Sequence, residues 1–127
     1  MTTVLHIEND ADCLELSRIV LTRNNYRYLS ASTIEFGLLL AENEQPDLII
    51  LAARYTEGKG SRLAQHLRKH KKTKNKPLAF FCPRDEYHQI QKDLNLNNGQ
   101  TIFHIEKPTT YHNFLNGISA ISRKLEK

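Results

Sequence analysis

The chain alternates short, unbroken apolar runs with longer stretches in which apolar residues recur every three or four positions. Four runs stand out: Val4-Leu5-His6-Ile7, Leu48-Ile49-Ile50-Leu51-Ala52, Leu78-Ala79-Phe80-Phe81 and Ile102-Phe103-His104-Ile105. Runs this short and continuous predict strands buried on both faces of a parallel sheet. A further strand is predicted at about Tyr26 to Ala31. Between the strands the spacing becomes helical. Cys13, Leu16 and Val20 place an apolar stripe on a helix of about residues 11–24, which Asp10 or Asp12 can cap. Ser32-Thr33-Ile34-Glu35 reads as a capping box, because the Ser oxygen and the Glu carboxylate can satisfy each other's free amides, and its helix runs to about Asn43. Leu63, Leu67 and His70 are expected to face inward from a third helix, and Tyr87, Ile90 and Leu94 mark a fourth. The cleanest stripe is Phe114, Ile118, Ile121 and Leu125, on a helix beginning near Thr110.

Strands that alternate with helices predict an α/β protein whose five parallel strands are doubly wound. Pro46 and Pro77 introduce the third and fourth strands, and Asn97-Asn98-Gly99 is a turn signal before the fifth. No internal repeat or change of composition divides the chain, so residues 1–127 are expected to form one domain. At 127 residues a domain buries roughly two thirds of its unfolded surface and needs neither metal nor disulfide to fold. Cys13 and Cys82 have no CxxC or metal-ligand spacing, and no apolar signal region opens the chain. Free thiols and a cytoplasmic location are expected.

The net charge of +4 is local. Residues 66–76 hold Arg68, Lys69, Lys71, Lys72, Lys74 and Lys76 without one acid, which leaves the remainder of the chain slightly acidic. Such a run most simply solvates a helix end, and a binder of nucleic acid or an anionic surface is the alternative it suggests. No aromatic residue is interleaved in it. The longest apolar stretch, Leu48 to Ala53, is far short of the ~20 residues that span a bilayer, so no membrane partner is expected.

Chemistry gathers where the strands end. Glu8-Asn9-Asp10 follows the first, Ala52 closes the third, Cys82 closes the fourth, and Glu106-Lys107-Pro108 follows the fifth. A doubly wound sheet brings these carboxyl ends to one edge. Over nearly its whole length the chain resembles the response-regulator receiver family, whose fold is a flavodoxin-like (βα)5 sheet. The resemblance implies that Glu8 and Asn9 match the family's acid pair, Ala52 its phosphorylated Asp, Cys82 its Ser/Thr, and Lys107-Pro108 its Lys-Pro. Arg54 falls where a backbone carbonyl joins the family's metal shell. The loop Tyr55-Thr56-Glu57-Gly58-Lys59-Gly60 keeps only the last Gly of the family pattern, and His104 takes the place of a frequent signalling aromatic.

Phosphoryl transfer to a carboxylate needs a nucleophilic oxygen, a divalent cation held by neighbouring acids, and a fixed positive charge. Ala52 offers a methyl group. Asn9 replaces an anionic ligand with a neutral one, and the Cys82 thiol is a weak donor. Lys107 is expected to pair with Glu8 or Asp10. The expected function is a non-enzymatic, phosphorylation-independent module of two-component signalling, with neither cofactor nor metal. Its partner would be a signalling protein, bound at a face carrying Tyr87, His88, His104, Tyr111 and His112; nucleic acid is the less favoured partner, and a homodimer is compatible with the reading. A flavin carrier or phosphate-binding enzyme of similar architecture is disfavoured, because Glu8-Asn9-Asp10-Ala11-Asp12 would repel phosphate.

Overall fold

Parallel strands β1 (Thr3–Ile7), β2 (Arg27–Ala31), β3 (Leu48–Ala52), β4 (Leu78–Cys82) and β5 (Ile102–Glu106) lie side by side in the order β2-β1-β3-β4-β5. Helices α1 (Ala11–Arg23), α2 (Ile34–Glu44), α3 (Lys59–Lys69), α4 (Arg84–Leu94) and α5 (Tyr111–Leu125) connect and follow them, completing the doubly wound architecture expected from the pattern. The computed structural model describes residues 2–52, 59–94 and 102–125, with backbone alone for 59–63 and 93–94.

Every residue of β3 and β4 is buried, which is why these segments read as unbroken apolar runs. Side chains alternate between the two faces. Leu5, Ile7, Ile49, Leu51, Leu78, Phe80 and Cys82 pack with Ala41, Ala64, Leu67 and Ile90 from α2, α3 and α4. Val4, Ile50, Ala79, Phe81 and Ile105 meet Val20, Leu21, Phe114, Ile118 and Ile121 from α1 and α5. The edge strands β2 and β5 are more exposed.

Local chemistry sets the helix ends. The Asp10 carboxylate caps α1 by accepting from the amides of Asp12 and Cys13, at 2.9 and 3.3 Å. These backbone hydrogen bonds also hold its carboxyl below the ordinary carboxylate value. At α2 the expected cap moves by one residue: Thr33, not Ser32, accepts from the Phe36 amide at 3.2 Å, and the helix begins at Ile34. Threonine supplies the same oxygen one position later, in the frame that turns Gly37 and Ala41 onto the sheet. His70, expected to face inward, is half-buried just beyond α3, because the helix ends at Lys69 and the chain turns. Thr73 occupies the buried place instead, its hydroxyl donating to the Leu67 carbonyl at 2.6 Å. Leu63 and Leu94 have side chains outside the described residues.

Gly37 shows how tightly α2 sits on β1. A Cβ there would fall 2.6 Å from Cδ1 and 2.8 Å from Cγ1 of Ile7, a side chain with no exposed surface. Alanine would gain up to about 1 kcal/mol of helix propensity, but overpacking a closed core costs roughly 1–3 kcal/mol. Gly37→Ala should therefore lose about 1 kcal/mol in urea unfolding, and Ile7→Val in the same chain should recover part of that loss by removing Cδ1. A more stable Gly37→Ala protein would contradict the close approach.

Candidate functional site

The connections leaving β1 and β3 run to opposite faces of the sheet, so a crevice opens between their carboxyl ends. Glu8 follows β1 on the same side as His6, two residues earlier, facing α1 and α5. Its carboxylate has only 2% of its surface exposed. Lys107, from the β5–α5 connection, donates to both Glu8 oxygens at 3.1 and 3.2 Å. Its ammonium also lies 4.7 Å from the centre of the Phe81 ring. The Lys107 amide donates to the Cys82 carbonyl at 3.0 Å, and the Lys107–Pro108 peptide bond is cis.

The second partner of Glu8 is His6, a residue that the sequence reading passed over. Its ring has no exposed surface, with Nε2 3.1 Å from Glu8 Oε1 and Nδ1 2.8 Å from the Ser17 hydroxyl. Burial, which opposes a charged ring, lowers the His6 pKa below its usual value despite the neighbouring carboxylate. In the neutral imidazole, Nε2–H donates to Glu8 and Nδ1 accepts the Ser17 proton. Tyr28 closes the network, its hydroxyl 2.9 Å from Ser17 and 3.0 Å from the Leu14 carbonyl, two acceptors within reach of its single proton. A single histidine inside an otherwise apolar run was the available signal; its partners on α1 and β2 had none.

The remaining site residues fall around this pair. Ala52 is buried at the end of β3 beside Phe81. Asn9 and Asp10 are exposed, and Asp10 is committed to the α1 cap. The Cys82 side chain points to the opposite core, where burial pushes its thiol up to about 12. Burial likewise raises the Cys13 thiol. Arg54 and residues 55–58 lie outside the described residues. A cleft of about 300 Å³ is lined by Glu8, Asn9, Asp10, Cys82, Glu86 and Lys107, among others. Beside it lies a more apolar cleft of about 360 Å³ walled by Cys13, Leu16, Phe81, Pro83 and Pro108. Among the described residues no group of three or more His, Cys, Asp or Glu side chains is placed to hold a metal ion.

Four of the five aromatic and histidine residues expected at an interaction face form two pairs. Tyr87 stacks on His104 with ring centres 4.3 Å apart and planes 3° apart. His104 Nε2 donates to the Cys82 carbonyl at 2.7 Å, so this edge is held from inside. Tyr111 accepts from Asn24 at 3.1 Å and lies edge-on to the exposed His112. His88 is exposed on α4. In the basic segment the Arg68 guanidinium is spent internally, donating to the carbonyls of Lys74 and Lys76 at 3.2 and 2.7 Å. Lys69, Lys71, Lys72 and Lys74 are exposed, and Lys76 is half-buried. No described helix is long and apolar enough to cross a membrane.

Solved structures with the same architecture include response regulators and their receiver domains. The chain superposes on the chemotaxis protein CheY4 of Vibrio cholerae with a TM-score of 0.80 and 19% identity, covering 95% of this chain and 98% of that one. A CheY-like receiver domain protein from Methanospirillum hungatei gives 0.79 at 18% identity, covering 99% and 97%. A putative response regulator from Chloroflexus aurantiacus gives 0.80 at 20% identity, covering 99% and 98%. At these identities the likeness establishes the CheY-like, flavodoxin-type fold. No family model and no curated protein sequence matches the chain.

Two measurements probe the buried pair. Below pH 6.5, the ordinary value for His6, the unfolded chain binds a proton that the folded chain resists, so stability should fall as pH drops. The His6 contribution is limited to about 1.4 kcal/mol per pH unit, and His6→Gln should flatten the decline; an unchanged slope would remove His6 as its source. Lys107→Met leaves Glu8 buried with one partner fewer and should cost about 3 kcal/mol, the low end for a broken buried pair because Lys107 keeps some exposure. Adding Glu8→Gln should restore part of it.

Proposed function

We propose that this chain is an atypical receiver module of a two-component or related signalling pathway, one that binds a protein partner without accepting a phosphoryl group. The observation that carries the reading is the pairing of Glu8 with Lys107 and His6 beside the Ala52 methyl group. In phosphoryl transfer to a receiver, the carboxylates hold a divalent cation and the lysine meets the incoming phosphoryl oxygens. Here Glu8 spends its charge on the lysine, Ala52 has no oxygen, and Asn9 brings a neutral amide to the crevice. These residues do not suit a hard cation, which prefers several anionic oxygens. With no nucleophile at Ala52 the module is not an enzyme.

A module without a phosphorylation switch must present its binding surface already formed, since no modification biases it between two states. The α4–β5–α5 face supports this role. The Tyr87–His104 stack is fixed by the Cys82 carbonyl, and His88 and His112 offer exposed polar tips around it. The proposed setting is the cytoplasm, where Cys13 and Cys82 remain thiols.

Incubation with a small acyl-phosphate donor and Mg²⁺ should leave the protein's mass unchanged. Stoichiometric phosphorylation at Asp10 or elsewhere would overturn the reading. Ala52→Asp alone should also remain poorly phosphorylated, because Glu8 stays paired with Lys107 and Asn9 stays neutral. Partner binding should be indifferent to donor and Mg²⁺, and weakened by Tyr111→Ala and His104→Ala more than by charge reversal at Lys69, Lys71 and Lys72.

A further inference from the structure

Among the described residues the exposed large apolar side chains are Phe36 and Leu39, at 49% and 53% exposure. Both stand on α2, three residues apart, on the ridge opposite Gly37 and Ala41. Asn43 continues the exposed ridge without charge. The acids of the last turn are drawn to its flanks: Glu44 pairs with Arg27 at 2.6 Å, and Glu42 with His70 at 3.3 Å. Glu35 is exposed in the first turn, beside Phe36 and one turn before Leu39, so the ridge carries one acid at its N-terminal end.

The Glu42–His70 contact brings the end of α2 against the basic turn of residues 70–76. Thr73 plugs this turn into the core, Arg68 ties down two of its carbonyls, and the His70 ring accepts the Lys72 amide at 3.2 Å. The exposed cations are all lysines, and the arginine is turned inward. A two-residue apolar patch on the outer side of α2 and a preformed group of lysines beyond that helix's C-terminal end thus lie on one face of the sheet.

We propose that this edge is a peripheral docking site for an anionic phospholipid surface: Phe36 and Leu39 enter the boundary between headgroups and acyl chains, and Lys69, Lys71, Lys72 and Lys74 meet the headgroup charge. Weak apolar insertion and a basic patch together give the two signals that stable surface binding needs. Charge and shape favour this occupant. Duplex nucleic acid would use the lysines but gain nothing from the apolar ridge. A second copy packed on the ridge with its α2 parallel would bring like-charged lysines toward each other, and the antiparallel pairing would show itself as a dimer. Lysine suits a diffuse headgroup field, whereas paired, planar recognition would call for arginine. The short apolar runs of the sequence exclude a helical span, which is a different matter from docking on a surface.

The test is flotation of the full chain with vesicles of phosphatidylcholine alone or with about one third phosphatidylserine, a proportion that gives a strongly anionic surface. Binding should require phosphatidylserine and fall as salt rises. Lys71→Glu with Lys72→Glu, and separately Phe36→Ser with Leu39→Ser, should each weaken it about tenfold or more. All four positions are exposed, and the comparison of the two vesicle compositions needs no variant. Absence of binding, or binding indifferent to lipid charge, overturns the proposal. So does binding that survives Phe36→Ser with Leu39→Ser, tighter lysine-dependent binding to a short DNA duplex, or a dimer abolished by those same serine variants.

Discussion

A carboxylate with almost no exposed surface must find cationic or strongly donating partners inside the protein, since an unpaired buried charge costs several kcal/mol. Glu8 finds two, and they come from distant parts of the chain. Lys107 arrives after the last strand; His6 lies on the first strand and is held through Ser17 on α1, which also touches Tyr28 on β2. One buried charge thereby fixes the relative positions of β1, β2, α1 and the β5–α5 connection at a single edge. Apolar packing alone fixes them less specifically, because side chains of similar volume can exchange in a core with modest loss.

The same pair constrains chemistry. A lysine free to meet an incoming anion and a carboxylate free to bind a cation are alternatives to a lysine bound to that carboxylate. Inserting a phosphoryl group or a cation would require breaking the Glu8–Lys107 contact and leaving one of its charges in a partly desolvated crevice. With a methyl group at Ala52, no new bond compensates for that loss. The cleft beside the pair is in the right place for a receiver site, yet its charges are already neutralised within the protein. The proposed function rests on this balance.

Much of the architecture was legible because burial on both faces imposes continuous apolar runs on β1, β3 and β4, and because the 3.6-residue stripe of α5 is nearly ideal. Strand ends could then be gathered at one edge by the topology alone, which is how Glu8 and Lys107 could be expected to meet. His6 was not legible as a site residue. Histidine in an apolar run has several uses, and its partner Ser17 lies on the next element at a distance that strand and helix periodicities do not encode. The Thr33 cap and the inward Thr73 share this character: tertiary packing chooses which nearby side chain takes the position, Thr33 over Ser32 and Thr73 over His70. The α2 ridge was invisible for a different reason. Phe36 and Leu39 look like core residues in the sequence, and only the phase of the helix, set by the close approach of Gly37 to Ile7, turns them outward.

That outward turn bears on how a receiver fold without a switch can carry information. In a two-state module a signal changes which surface is presented, and the energy comes from the modifying group. On the proposed reading, a module locked by an internal ion pair has no such source, so its state is set by what it is bound to and where. Two preformed surfaces on different sides of one rigid sheet would supply both: the α4–β5–α5 face for a protein partner, and the α2 ridge with its lysines for an anionic surface. Each interaction alone can be weak, because simultaneous engagement raises the effective concentration of the second contact once the first is made. On these two proposals the chain acts as a static bridge, and its control passes to the composition of the surface and the supply of the partner.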